Sequence, residues 1–249
     1  MPLSLQAALW GLLSGSALVL GAALAYLVRV PPRVLAAIMA FGAGVLISAL
    51  SFELMDEGYR TGGLLSVAIG FVTGAAVFSG ANYAISHAGG RHRKRSGAQQ
   101  PGPEEGGGLA IAVGALLDGI PESIVIGISL IGGKGVSMAA VAAVFLSNLP
   151  EGLSSAAGMR KAGRSKAYVF GVWGAIALAS GVAAFAGNYL LAGASPALIG
   201  FVNALAAGAI LAMLVDTMIP EAFEVAHDFA GLVTVAGFLA AFWLSKAAG

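Results

Sequence analysis

The chain reads as a series of apolar runs separated by short polar breaks. Eight runs can be marked, at about 5–28, 34–54, 63–86, 108–131, 136–159, 167–192, 197–219 and 229–245. Each approaches the roughly 20 apolar residues needed to cross a bilayer. Such long, unbroken runs favour helices over barrel strands, because a lipid-exposed backbone must satisfy its own hydrogen bonds. The pattern predicts an all-α, polytopic membrane protein of eight transmembrane helices, with residues 1–249 forming a single transmembrane domain. The longest break, 87–107, is rich in Gly, Pro, Gln and charge and predicts a flexible cytoplasmic loop. His87 and His92 within it could bind a metal transiently, although a solvated basic anchor beside anionic headgroups is the plainer reading.

Two polar interruptions stand out. Asp118-Gly119-Ile120-Pro121-Glu122 falls in the fourth run, and Ser147-Asn148-Leu149-Pro150-Glu151 in the fifth. A carboxylate at membrane depth is costly, so it marks a functional site by default. Asp118 and Glu122 are four residues apart, which puts them on one helix face, one turn apart. Pro121 has no N–H for the carbonyl of Leu117 and pushes that turn open. The fifth run repeats the device: Ser147 and Glu151 share a face, Pro150 frees the carbonyl of Leu146, and Asn148 adds an amide oxygen. Together Asp118, Glu122, Glu151, Asn148 and Ser147 form a candidate metal site of oxygen ligands. Such a set suits Mg, Mn and Fe(II), and Zn less exclusively. The competing structural reading makes both prolines packing kinks and both Glu residues protonated hydrogen-bond donors between helices.

A second tier of polar residues marks a candidate pathway. Glu53 lies late in the second run with Asp56 just beyond it, at a candidate outer mouth. Asp216 lies inside the seventh run, and Glu221 and His227 follow it on the opposite side. The second and seventh runs also resemble each other. Aligned from Ala40 and Ala204, five of twenty positions are identical, including Gly44/Gly208, Leu50/Leu214 and Glu57/Glu221. These runs cross in opposite directions, so the likeness suggests an inverted repeat in a 3+2+3 arrangement, the architecture that places carrier sites near the midplane.

Composition narrows the class. Of 249 residues 58% are hydrophobic and 10% charged, with a mean hydropathy of +0.90. Soluble domains carry about 25% charge. A net charge of +1 argues against nucleic acid as a partner. The absence of cysteine removes disulfides and thiolate metal ligands. The 37 glycines suit helices that approach closely in lipid. Ten Lys and Arg residues fall in the breaks on one side: Arg29, Arg33, Arg91, Arg93, Lys94, Arg95, Arg160, Lys161, Arg164 and Lys166. Only Arg60, Lys134 and Lys246 fall on the other. The positive-inside rule then places both termini outside the cytoplasm, in a cell membrane, with the lipid bilayer as partner. No GxxxxGK[ST], HExxH or GxSxG is present, so neither nucleotide hydrolysis nor an intramembrane hydrolase is expected. No catalytic cofactor is expected either.

The motifs DGIPES and SNLPEG, with FGAGVLISALSFELMDEG in the second run and AAGAILAMLVDTMIPEA in the seventh, resemble the ZIP (Zrt/Irt-like) family of divalent metal transporters. The likeness spans nearly the whole chain. The family's fourth helix typically carries HNxPEG, and its fifth a related pattern around P-E/H. The resemblance implies that Asp118 stands where the usual His does, that Glu122 and Glu151 match bridging acids, and that Ser147 and Asn148 take ligand positions. Gly119 replaces an Asn that usually contributes to a second metal, and both imidazoles are missing. A single oxygen-rich site is therefore expected, with preference shifted away from zinc. The resemblance implies a secondary transporter moving zinc-, iron- or manganese-class cations toward the cytoplasm as substrate, and makes a homodimer plausible. A metal-binding sensor or scaffold without transport is the alternative.

Overall fold

The computed structural model describes residues 1–28, 30–131 and 135–248. Arg29 and Lys134, both counted above among the loop charges, lie outside the described residues. Within them the chain is all-helical, with no strand. The helices are α1 (Leu3–Leu27), α2 (Pro32–Ala49), α3 (Asp56–Ile85), α4 (Gly108–Ser129), α5 (Met138–Lys161), α6 (Lys166–Leu191), α7 (Pro196–Met213), α8 (Ile219–Ala226) and α9 (Ala230–Ala248). Short serine caps start several of them. The hydroxyls of Ser137, Ser165 and Ser195 accept from the backbone N–H of Ala140, Tyr168 and Leu198, satisfying donors that a helix start leaves orphaned.

Five helical stretches are long and apolar enough to cross a membrane: Leu3–Leu27, Pro32–Gly90, Gly108–Ser129, Lys166–Leu191 and Pro196–Ala247. α5 is long enough but less apolar, because Ser147, Asn148, Glu151, Ser154 and Ser155 lie within it. Two of the five stretches run 59 and 52 residues. At 1.5 Å per residue either would far exceed a hydrocarbon core of about 30 Å. Each contains a residue that breaks the helical path: Gly63 at φ 74, ψ 171 in the first, and His227 at φ 41, ψ −112 in the second. Each also contains a π-helical segment, Leu50–Met55 after α2 and Leu214–Met218 after α7. Glu53 sits on the first and Asp216 on the second. Widened turns of this kind concentrate at functional positions.

α3 packs along α7, α2 along α9, α1 against α5 and α6, and α4 against α6. Close approach depends on glycine at matching places. A Cβ on Gly44 of α2 would overlap the carbonyl oxygen of Thr234 in α9, and one on Gly208 of α7 would overlap that of Phe71 in α3. Small residues drive association where lipid removes the hydrophobic contrast between helices. One apolar cluster joins α2, α3 and α7 through Met39, Leu46, Phe78, Ile210 and Met213. Another joins α1, α4, α5 and α6 through Leu18, Ile111, Leu153, Met159 and Trp173. Leu64, Leu65, Val72, Leu190, Leu232 and Trp243 face outward, an apolar exterior suited to lipid.

Candidate functional site

α4 and α5 supply the central acids. Asp118 and Glu122 lie one turn apart on α4 and are each 2% exposed; Glu151 on α5 is 5% exposed. Ser147 and Asn148, the other two expected ligands, are also buried on α5. Pro121 and Pro150 lie inside these helices, beside the acids. The Ser147 hydroxyl donates to the carbonyl of Val144 in the preceding turn, 3.0 Å away. Asn148 donates its amide to the carbonyl of Ser14 on α1 at 3.1 Å, which fixes the side chain while its oxygen stays unused by that bond.

The counter-charges come from the loop. Arg93 reaches Asp118 with two parallel bonds, Nε to Oδ2 and Nη2 to Oδ1, each 2.9 Å. This fork-on-fork geometry is the strongest arrangement open to a guanidinium and a carboxylate. Its third nitrogen donates to the Asn82 oxygen at 2.9 Å. Asn82 in turn points its amide at Asp216, 3.4 Å away. The next residue, Lys94, places Nζ 3.0 Å from Glu151 Oε2 and 3.4 Å from Asp118 Oδ2. Neither approach has hydrogen-bond geometry, so Lys94 is held between the two acids as an ion pair. Glu122 lies within Coulombic reach of Glu151, Lys94 and Asp118. Among the described residues it makes no ion pair of its own.

The expectation of a solvated basic segment is therefore corrected at Arg93 and Lys94, which are 1% and 3% exposed. The reason is charge: buried carboxylates are costly unless paired, and these two cations supply the pairing. The backbone is shaped to deliver them. A Cβ on Gly114, one turn before Asp118, would collide with the Arg93 stem, so the missing side chain makes the slot that the stem fills. The Gln100 amide donates to the carbonyls of Arg93, Arg95 and Ser155. Ser154 donates to the carbonyl of Lys94 at 2.7 Å. Arg164 reaches the carbonyls of Pro101, Gly102 and Gly106. His92 stays at the rim. Partial burial, then Arg95 and Arg91, hold its imidazole below the usual histidine range, so it is mostly neutral near pH 7.

The second tier divides. Glu221 is buried and belongs to the same loop contact: it accepts from the Ser96 N–H at 2.9 Å and hydroxyl at 3.0 Å, and pairs with Arg95 at 3.3 Å. Arg95 also pairs with Glu224. Asp216 is exposed and lines a cavity of about 460 Å³ with Ser79, Asn82, Tyr83, His87 and Arg91. His227 is exposed beside Phe223 and joins neither group. At the other end Glu53 accepts from the hydroxyls of Ser137 at 2.9 Å and Ser245 at 2.5 Å. It lines a cavity of about 560 Å³ shared with Asp56, Glu57, Arg60 and Lys246. Asp56 pairs with Arg60 one turn on, at 2.9 Å.

Among the described residues, no three His, Cys, Asp or Glu side chains converge tightly enough to hold an ion. Lys94 stands between two of the acids that would do so. Sequence reasoning missed Arg93, Lys94 and Asn82 as members of this cluster. The available signal was charge balance: buried acids need cations, and Arg91–Arg95 is the densest supply in the chain. Comparison with protein-family models and with curated proteins finds no match to either.

Proposed function

We propose that this chain is a secondary transporter that moves divalent metal cations of the zinc, iron or manganese class toward the cytoplasm. The observation that carries the reading is the burial of Asp118, Glu122 and Glu151 on two helices, each with a proline in its interior beside the acids. Acids at that depth are expensive unless they serve a cation. Ionised carboxylates make the stronger ligands, so affinity for the cation falls with acidity. The likeness of DGIPES and SNLPEG to ZIP-family motifs agrees with this reading.

Eight crossings in a 3+2+3 inverted repeat form the architecture we propose, on three supports. Gly63 and His227 divide the two over-long stretches, and α5 is long enough to add a crossing. The π segments begin at Leu50 and Leu214, the same position in the aligned runs. Exchanging the first three runs with the last three, and the fourth with the fifth, turns the α3–α7 contact into α9–α2 and α1–α5 into α6–α4, while α1–α6 maps onto itself. Gly44 and Gly208, aligned in sequence, occupy corresponding crossings. Carriers built this way alternate access by rocking one helix group against the other. The cation would approach through the cavity at Glu53 and Asp56 and leave toward Asp216 or Glu221. The gathering of Arg91–Arg95, Arg160 and Arg164 at one end supports both termini lying outside the cytoplasm.

Uptake of a panel of divalent metals into sealed proteoliposomes tests the proposal. Wild type is expected to accumulate metal, while Glu122→Ala and Glu151→Ala fall to the level of protein-free vesicles. Undiminished uptake by both variants overturns the central site. One observation favours a second reading, a metal-binding sensor or scaffold without transport: Asp118 and Glu151 already have counter-charges inside the chain. Saturable metal binding without flux in the same vesicles would select it.

A further inference from the structure

We propose that Arg93 and Lys94 are the alternate occupants of the cation site, and that a divalent substrate and this pair of loop charges displace one another. The proposal rests on the divalent-cation reading above. Three observations carry it. The two side chains sit on the acids that would bind substrate: Arg93 on both oxygens of Asp118, and Lys94 between Asp118 and Glu151. Both are buried, although they belong to a segment that joins two helices rather than to a helix. The segment is also fitted to its seat, by the Gly114 slot, the Gln100 amide on three carbonyls and the Ser154 hydroxyl under Lys94.

The exchange is matched in charge. Arg93 and Lys94 bring two positive charges to the carboxylates, and one divalent ion brings the same. Either occupant leaves the cluster with one net charge, so the swap needs no proton to balance it. A monovalent ion replaces only half of what it would expel and leaves buried carboxylates under-compensated, which is costly. The occupant thus filters for charge. It also gives direction: when the pair returns from its own side of the protein, it closes the route behind the departing ion. Arg95 and Ser96, bound to Glu221, and Arg95, bound to Glu224, return with it.

Two readouts test this in purified protein. In wild type, trypsin cleavage after Arg93, Lys94 and Arg95 is mapped by mass spectrometry, with the exposed Arg91 as internal control. Cleavage at the three sites is expected to be slow without metal and to rise about tenfold or more with Mn²⁺ or Zn²⁺, but not with Na⁺ at equal ionic strength. The chain has no cysteine, so Ser154→Cys gives a single thiol at a position now covered by Lys94. Its maleimide labelling should follow the same pattern and become fast without metal when Arg93→Gln and Lys94→Gln are added. Metal-dependent uptake with cleavage and labelling unmoved overturns the exchange and leaves the transport reading intact. Release by Arg93→Gln and Lys94→Gln, with no response to any divalent metal and no uptake, overturns the exchange together with the cation reading.

Discussion

The Asp118–Glu151 cluster and the Glu53–Asp56 end of the molecule both carry acids within or beside apolar runs, yet these acids are satisfied by different means. Glu53 accepts two hydroxyls and faces an open cavity, while Asp56 meets an exposed Arg60 on its own helix. Asp118 and Glu151 are matched by full charges from a chain segment 25 and 57 residues away. The difference teaches that lying in an apolar run does not by itself say how an acid is satisfied. Glu53, open to a cavity, is served by neutral hydroxyls, whereas Asp118 and Glu151, sealed in the protein, are met by cations that the fold brings to them, with Glu122 beside them within Coulombic reach of Lys94.

The largest effect that would break this contrast is at Asp118. Asp118→Asn leaves the Arg93 guanidinium buried without its carboxylate, and is expected to cost about 3–5 kcal/mol in detergent unfolding, the usual penalty for breaking a buried pair. A change as mild as a substitution at Glu53 or Asp56 would show that Arg93 does not need the acid. Next comes Gly114→Ala, whose methyl enters the space of the Arg93 stem. Overpacking of this kind costs about 1–3 kcal/mol, and trypsin sensitivity at Arg93 and Lys94 should rise with it. If stability falls but the loop stays protected, the slot serves helix packing instead. Glu53→Gln keeps an acceptor for Ser137 and Ser245, so its cost should be about 1 kcal/mol or less. Its expected signature is reduced uptake at low metal concentration, measured in the vesicles described above. Smallest is Asp56→Asn, which removes a partly exposed pair one turn long. Its effect on stability is expected to be about 0.5 kcal/mol or less, and a larger loss would place Asp56 among the structural acids.

The helical class was legible because hydropathy over a run of residues is a local property, and the apolar runs coincide with helices. The prolines beside Asp118, Glu122 and Glu151 were legible for the same reason: spacing of four along a helix fixes a shared face. What connects the two helices was not legible. Arg93 and Lys94 look, in sequence, like any basic stretch between membrane runs, and only tertiary contact decides whether such charges meet water, lipid headgroups or buried acids. The alignment of Leu50 with Leu214 was visible as letters, but the π turns that begin there depend on packing against neighbouring helices. His227, expected on a pathway because it follows an acidic stretch, lies exposed at a break in the helical path, apart from the buried cluster.

The reach of Arg93 has one more consequence. Its guanidinium grips Asp118 on α4 and Asn82 on α3, and Asn82 leans on Asp216 in the segment following α7. One planar group thus ties α4 to α3, and Asn82 carries the chain of bonds on to the segment following α7. Withdrawing it would do more than vacate a carboxylate: it would cut the polar tie between α4 and α3, so that release of one helix from the other and exposure of the acid become one event.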